Sequence, residues 1–192
     1  MKRHIIIGLA VIAAGFPASL AAKDSLPANV TVRDNRVVDK VDWSFSPGKP
    51  VDFSKVKRCV AVNLTNDEIQ LKDSAGSWVG PATGNYYQKS NSSTVAGRDI
   101  FKIVDDQGKF LVAQGWIDKP VFAFRWILRF DMEVAVEGES VKMVMRNIKL
   151  AMSNTGSSSN DGFSDLNTSY RFKQNYSTLE EAANTVKGCI SE

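Results

Sequence analysis

VFAFRWILRFDMEVAV, residues 121–136, alternates along its whole length. Phe122, Phe124, Trp126, Leu128, Phe130, Met132, Val134 and Val136 fall on one face. Arg125, Arg129, Asp131, Glu133 and, just beyond, Glu137 fall on the other. A period of two sustained this long describes an antiparallel strand with one dry and one wet side. The flanking segments repeat the theme. RDIFKIV (98–104) and KFLVAQGWI (109–117) read as a hairpin that turns at Gly108, and VKMVMRNIKL (141–150) returns as a partner after EGES (137–140). NVTVRDNRVV (29–38) gives two short extended pieces around Asp34-Asn35. KVDWSF (40–45) extends until Pro47-Gly48, and EIQLKD (68–73) alternates like a strand.

The dry row needs a cover, and two stretches have helical spacing. In VDFSKVKRCVAVNL (51–64), Phe53, Val56, Val60 and Leu64 recur on one side behind a cap at Asp52 or Ser54. In STLEEAANTVKG (177–188), Ser177 and Glu180 form a capping box. Leu179, Ala182, Ala183 and Val186 make a stripe, and Gly188 is expected to stop the helix. A helix this short at a chain end is marginal alone and frays. Cys59 lies in the first helix and Cys189 directly after the second, and they are the two cysteines of the chain. In an oxidising compartment the leading expectation is a disulfide that staples one helix to the other, with two buried free thiols as the alternative. The fold class expected is therefore α+β: an antiparallel sheet of about five strands, with both helices on its dry face and one disulfide between them.

The compartment follows from the first residues. Lys2, Arg3 and His4 precede the apolar run IIIGLAVIAAGF (5–16), and Ser19, Ala21 and Ala22 follow in PASLAAKDS (17–25). This is the three-part pattern of a secretory signal peptide, expected at 1–22, with a single domain over 23–192. The expected location is periplasmic or secreted. The apolar run is short for a membrane span, and no later stretch approaches the roughly 20 apolar residues that a span needs. Lys2 and Arg3 belong to the leader, which has no acidic residue. Residues 23–192 then hold 22 basic and 21 acidic side chains, a net +1. Such a balance speaks against a nucleic-acid partner, which calls for a concentrated basic stripe.

His4 is the only histidine. Without the leader the chain has no imidazole, which removes Ser-His and Cys-His nucleophile pairs and His-ligated zinc. Nucleotide loops and metal-spaced cysteines are absent from the sequence, so no cofactor or metal site is expected. Ser54-Lys57 and Ser46-Lys49 match an S-x-x-K spacing, but capping explains Ser54, and neither SDN nor KTG accompanies them. Asp131 and Glu133 are the residues to suspect in a carboxylate-dependent hydrolase. Ion pairing with neighbouring basic residues accounts for them more simply.

Two polar segments, 74–98 and 153–176, read as long loops. The first carries Trp78, Tyr86 and Tyr87 among small residues, with short strand pieces expected around them. This is the composition of a recognition surface, and these three are the candidate binding residues. The more ordinary reading packs Trp78 and one tyrosine under the loop as a satellite core.

The segments VDFSKVKRCVA, GNYYQK, IKLAMSNTG, DGF and the terminal GCI resemble small exported bacterial proteins and lipoproteins of unknown function. The layout also looks like domains assigned a TBP-like fold. That resemblance implies an antiparallel sheet carrying two helices on one face, and it supplies no catalytic residues. The lipid-anchoring cysteine of the lipoproteins is missing here. The function expected is non-catalytic: a binding or envelope-associated protein, or an inhibitor or immunity-type protein, with another envelope or extracellular protein as partner.

Overall fold

The computed structural model describes residues 26–34, 36–121, 124–169 and 171–192. The leader expected at 1–22, Asn35 of the expected turn, and the side chains of Phe122 and Phe124 lie outside the described part. In chain order the elements are β1 (Val30–Arg33), β2 (Val37–Phe45), α1 (Phe53–Asn63), β3 (Ile69–Asp73), β4 (Trp78–Val79), β5 (Tyr86–Tyr87), β6 (Asn91–Val95), β7 (Phe101–Asp105), β8 (Phe110–Val121), β9 (Phe124–Glu137), β10 (Ser140–Met152), β11 (Ser164–Asp165) and α2 (Phe172–Ser191).

The alternating stretch lies in the middle of the main sheet. Its strands run β1-β2-β10-β9-β8-β7, and β11 adds a seventh beside β10. Every pairing within it is antiparallel. Leu128, Phe130, Met132, Val134 and Val136 of β9 are buried in the main core. Both helices cover that face. α1 contributes Phe53, Val56, Cys59 and Val60, and α2 contributes Phe172, Leu179, Ala183, Val186 and Ile190. The Cys59–Cys189 disulfide joins the two helices across 130 positions, with the Cα atoms 5.7 Å apart. Gly115 of β8 lets α1 end close to the sheet, since a Cβ there would lie 3.3 Å from Leu64 Cβ. Between β8 and α2, Lys119 Nζ donates to the Gln174 carbonyl at 2.5 Å and to the Thr178 hydroxyl. Burial pulls this amine below the usual lysine range, and nearby Glu181 opposes the shift.

The expected class needs correction. Among the described residues strand makes up 46% and helix 19%, so the fold is mostly β rather than α+β, and the main sheet has seven strands rather than about five. β1 (Val30–Arg33) is the first of the two extended pieces expected in 29–38, with Val30 packed against the main core. β11 was not anticipated: it has two residues and is held by backbone pairing with β10. Alternation cannot reveal a strand so short.

α2 also differs from expectation. It starts at Phe172, five residues before the predicted capping box, because Phe172 and Asn175 are buried in its first turns. Arg171 is the N-cap, at φ 50° and without a side-chain capping bond. Gly188 does not stop the helix, which runs on to Ser191 with Ile190 only 2% exposed. Burial of the last turn outweighs the local stop signal. At the other helix the sequence cue holds: Asp52 accepts from the Ser54 N–H at 2.9 Å.

A slip of phase in β10 prepares the opposite face. Val141, Met143 and Met145 are buried in the main core, and then Ile148 and Leu150 take over. The pairing with β9 jumps between Arg146 and Lys149, and Asn147 sits at φ 51°. This is a β-bulge, with Asn tolerating the left-handed conformation. Beyond it, Ala151 joins Ile127 on the second face, where Ile69 and Leu71 of β3 close a small second core against them.

Candidate functional site

Residues 69–95 form a single β-ribbon arm, and the short strand pieces expected around Trp78 and Tyr86-Tyr87 are its β4 and β5. β3 pairs with β6 at its base, and β4 pairs with β5 nearer its tip. The base rests on the second core and is tied down by polar contacts. The Lys72 N–H donates to the Ser153 carbonyl at 2.8 Å, and the Thr155 N–H returns to the Lys72 carbonyl at 3.2 Å. Asp73 is the junction. Its carboxylate accepts from Asn91 Nδ2 at 2.6 Å, the Ala75 N–H at 2.9 Å and the Asn160 N–H at 3.0 Å. These donors, Asn91 foremost, hold its pKa below the ordinary carboxylate value. The two polar segments that looked separate in the sequence are thereby bound to each other.

The tip carries the candidate residues. Trp78 is 54% exposed, Tyr86 61% and Tyr87 44%, and Val79 beside them 58%. None lies under the arm, so the satellite-core reading of this segment is overturned for these side chains. Trp78 stands opposite Tyr87, and Val79 opposite Tyr86. The Trp78 and Tyr87 rings stack with centroids 4.5 Å apart and planes 14° off parallel. Successive strand residues point to opposite faces, so each face of the ribbon shows one apolar pair. Gly80 makes the stack possible. A Cβ at that position would lie 2.9 Å from Tyr87 Cε2 and 2.7 Å from Thr83 Oγ1. The turn closes with the Gly80 N–H to the Asn85 carbonyl and the Gly84 N–H to the Gly80 carbonyl, each 2.8 Å.

The carboxylates of the alternative reading are placed differently. Asp131 is 7% exposed on the second face. Its Oδ1 accepts from Lys102 Nζ at 2.6 Å and Gln114 Nε2 at 3.1 Å, and its Oδ2 from Asn147 Nδ2 at 2.7 Å. Arg129 donates to Gln114 Oε1 at 3.0 Å and so fixes the orientation of that amide. Glu133 pairs with Arg146 at 3.0 Å. Three of the roughly four lone-pair directions of Asp131 are occupied, which leaves little for a substrate. Cross-strand pairing was the expected account. It holds for Glu133, whereas Asp131 is served by Lys102, Gln114 and the bulge residue Asn147. The sequence cue for Asn147 was available: an Asn, poorly suited to strands, where the apolar phase of MVMRNIKL slips.

Among the described residues, no group of three or more His, Cys, Asp or Glu is arranged to hold a metal ion, and no helix is long and apolar enough to cross a membrane.

No protein-family model matches the sequence, and no curated protein does. Among solved structures, the chain is similar to a DUF4468 family protein from Bacteroides ovatus ATCC 8483. The two are 12% identical with a TM-score of 0.48, over 86% of this chain and 92% of that one.

Proposed function

We propose that this chain is an exported, non-catalytic binding protein of the bacterial envelope, periplasmic or secreted, whose contact is made by the tip of the arm. The observation that carries the reading is the exposure of Trp78, Val79, Tyr86 and Tyr87 together at the end of an anchored ribbon. Exposed apolar clusters are uncommon on soluble domains without a partner. Trp and Tyr supply large contact area with few torsions to freeze. The Cys59–Cys189 disulfide supports an oxidising compartment, and the leader pattern supports export. Asp131 and Glu133 serve as structural ion pairs in this reading, so catalysis is not assigned to them.

The test compares wild type with Trp78→Ala/Tyr87→Ala as immobilised baits for native envelope extract. Components that the wild type retains should be lost from the double variant, with the same thermal unfolding midpoint for both baits. Equal retention by the two baits would remove the tip from the binding role. Export is checked on the same preparations by N-terminal sequencing, which should start at residue 22 or 23.

A further inference from the structure

We infer that the tip is built to enter the interfacial layer of a lipid bilayer, so that the protein rests on a membrane without spanning it. This deepens the binding role proposed above and rests on it. Two observations point to this occupant rather than to a groove on a protein. The first is geometric. A groove reads one face of a strand pair, yet this ribbon shows Trp78 and Tyr87 on one face and Val79 and Tyr86 on the other. A tip apolar on both sides is suited to immersion in a medium that surrounds it. The second is charge. Residues 74–88, SAGSWVGPATGNYYQ, contain no Asp, Glu, Lys or Arg, although charged residues make up 23% of the chain. Charge returns with Lys72 and Asp73 in β3 and with Lys89 beside Ser77, between β5 and β6. Bringing a charge into hydrocarbon is costly, while Trp and Tyr favour the boundary where one end of the ring is apolar and the other wet. Lys72 and Lys89 are exposed and bound this uncharged stretch on either side in the sequence.

The hold expected is shallow and reversible, because four apolar side chains give far less buried area than an amphipathic helix. An uncharged tip also predicts binding to neutral lipid that changes little with salt, unlike a basic patch on an anionic surface.

The experiment is flotation of the purified mature protein with phosphatidylcholine vesicles, combined with quenching of tryptophan emission by lipids brominated on the acyl chain. Wild type should float at low and at high salt, and part of its emission should be quenched. Trp78→Phe should still float but lose the quenching, since Trp43, Trp116 and Trp126 lie in the body of the fold. Val79→Ser/Tyr86→Ser should weaken partitioning by roughly tenfold, the scale set by the apolar area these two expose. Quenching that survives Trp78→Phe would overturn the inference, as would binding that needs anionic lipid and disappears in salt. If wild type fails to float while extract capture still depends on Trp78 and Tyr87, the membrane assignment falls and the binding role stands. If both fail, both fall.

Discussion

Replacing Asp131 with alanine distinguishes a structural carboxylate from a catalytic one. The substitution removes the acceptor of three donors at once. Two of them have recourse to water, because Lys102 keeps 39% of its side chain exposed and Asn147 lies at the surface. Gln114 has none: it is 6% exposed, and its oxygen is already engaged by Arg129. A stranded buried amide costs about 1–3 kcal/mol, and a lost bond to a charged group about 1.5–3 kcal/mol, with incomplete additivity. The sum expected is about 3 kcal/mol, or roughly 6–12 °C in Tm for a domain of this size. Urea unfolding followed by circular dichroism measures it. The double variant Asp131→Ala/Gln114→Leu should lose distinctly less than the two single losses combined, because no amide is then left unpaired. A loss below about 1 kcal/mol for Asp131→Ala, or strict additivity in the cycle, would refute the account of this network as a structural tie.

Further outcomes follow from other parts of the fold. Cys59→Ala/Cys189→Ala should lower stability by about 2–4 kcal/mol and steepen the urea dependence, since an unlinked denatured chain exposes more surface; an unchanged midpoint would contradict the staple. Gly115→Val should destabilise by about 1–3 kcal/mol in thermal unfolding through collision with Leu64, and Leu64→Ala in the same chain should reduce that effect. Asp73 has a lowered folded-state pKa, so its contribution is present above the unfolded value of about 3.9 and is lost as pH falls through the lower folded value. Hydrogen exchange across 69–95 should therefore quicken in acid below about pH 4, and Asp73→Asn should abolish that step.

The parts of this structure that were legible in the sequence are those with a sustained period. Alternation placed β9 from Phe124 onward, whereas Val121, expected to open the same strand, ends β8; Phe53, Val56 and Val60 placed α1. Paired Cys59 and Cys189 were expected from compartment alone and are joined. What escaped was short or held from a distance. β11 has no periodic row, and the start of α2 is set by burial of Phe172 against other elements. The strand pieces expected around Trp78 and Tyr86-Tyr87 are β4 and β5; what local composition cannot convey is that Asp73, Asn91 and Asn160 tie the ribbon to a segment more than sixty residues away. Tyr86 and Tyr87 could be picked out by type. Their exposure on opposite sides of a strand pair required the pairing itself.

One sulfur of the disulfide precedes the arm in the chain, and the other lies in the last turn of α2. The backbone from Cys59 to Cys189 is thus a closed covalent ring, and the projecting ribbon is part of its circumference. A protease that cuts after Lys72 or Lys89 opens the ring but frees no fragment, since both new ends belong to a molecule still joined through the sulfurs. Nicked protein should migrate as one species on a denaturing gel without reductant and as two with it. A cut in the arm is then survivable, because the severed residues belong to no strand of the main sheet.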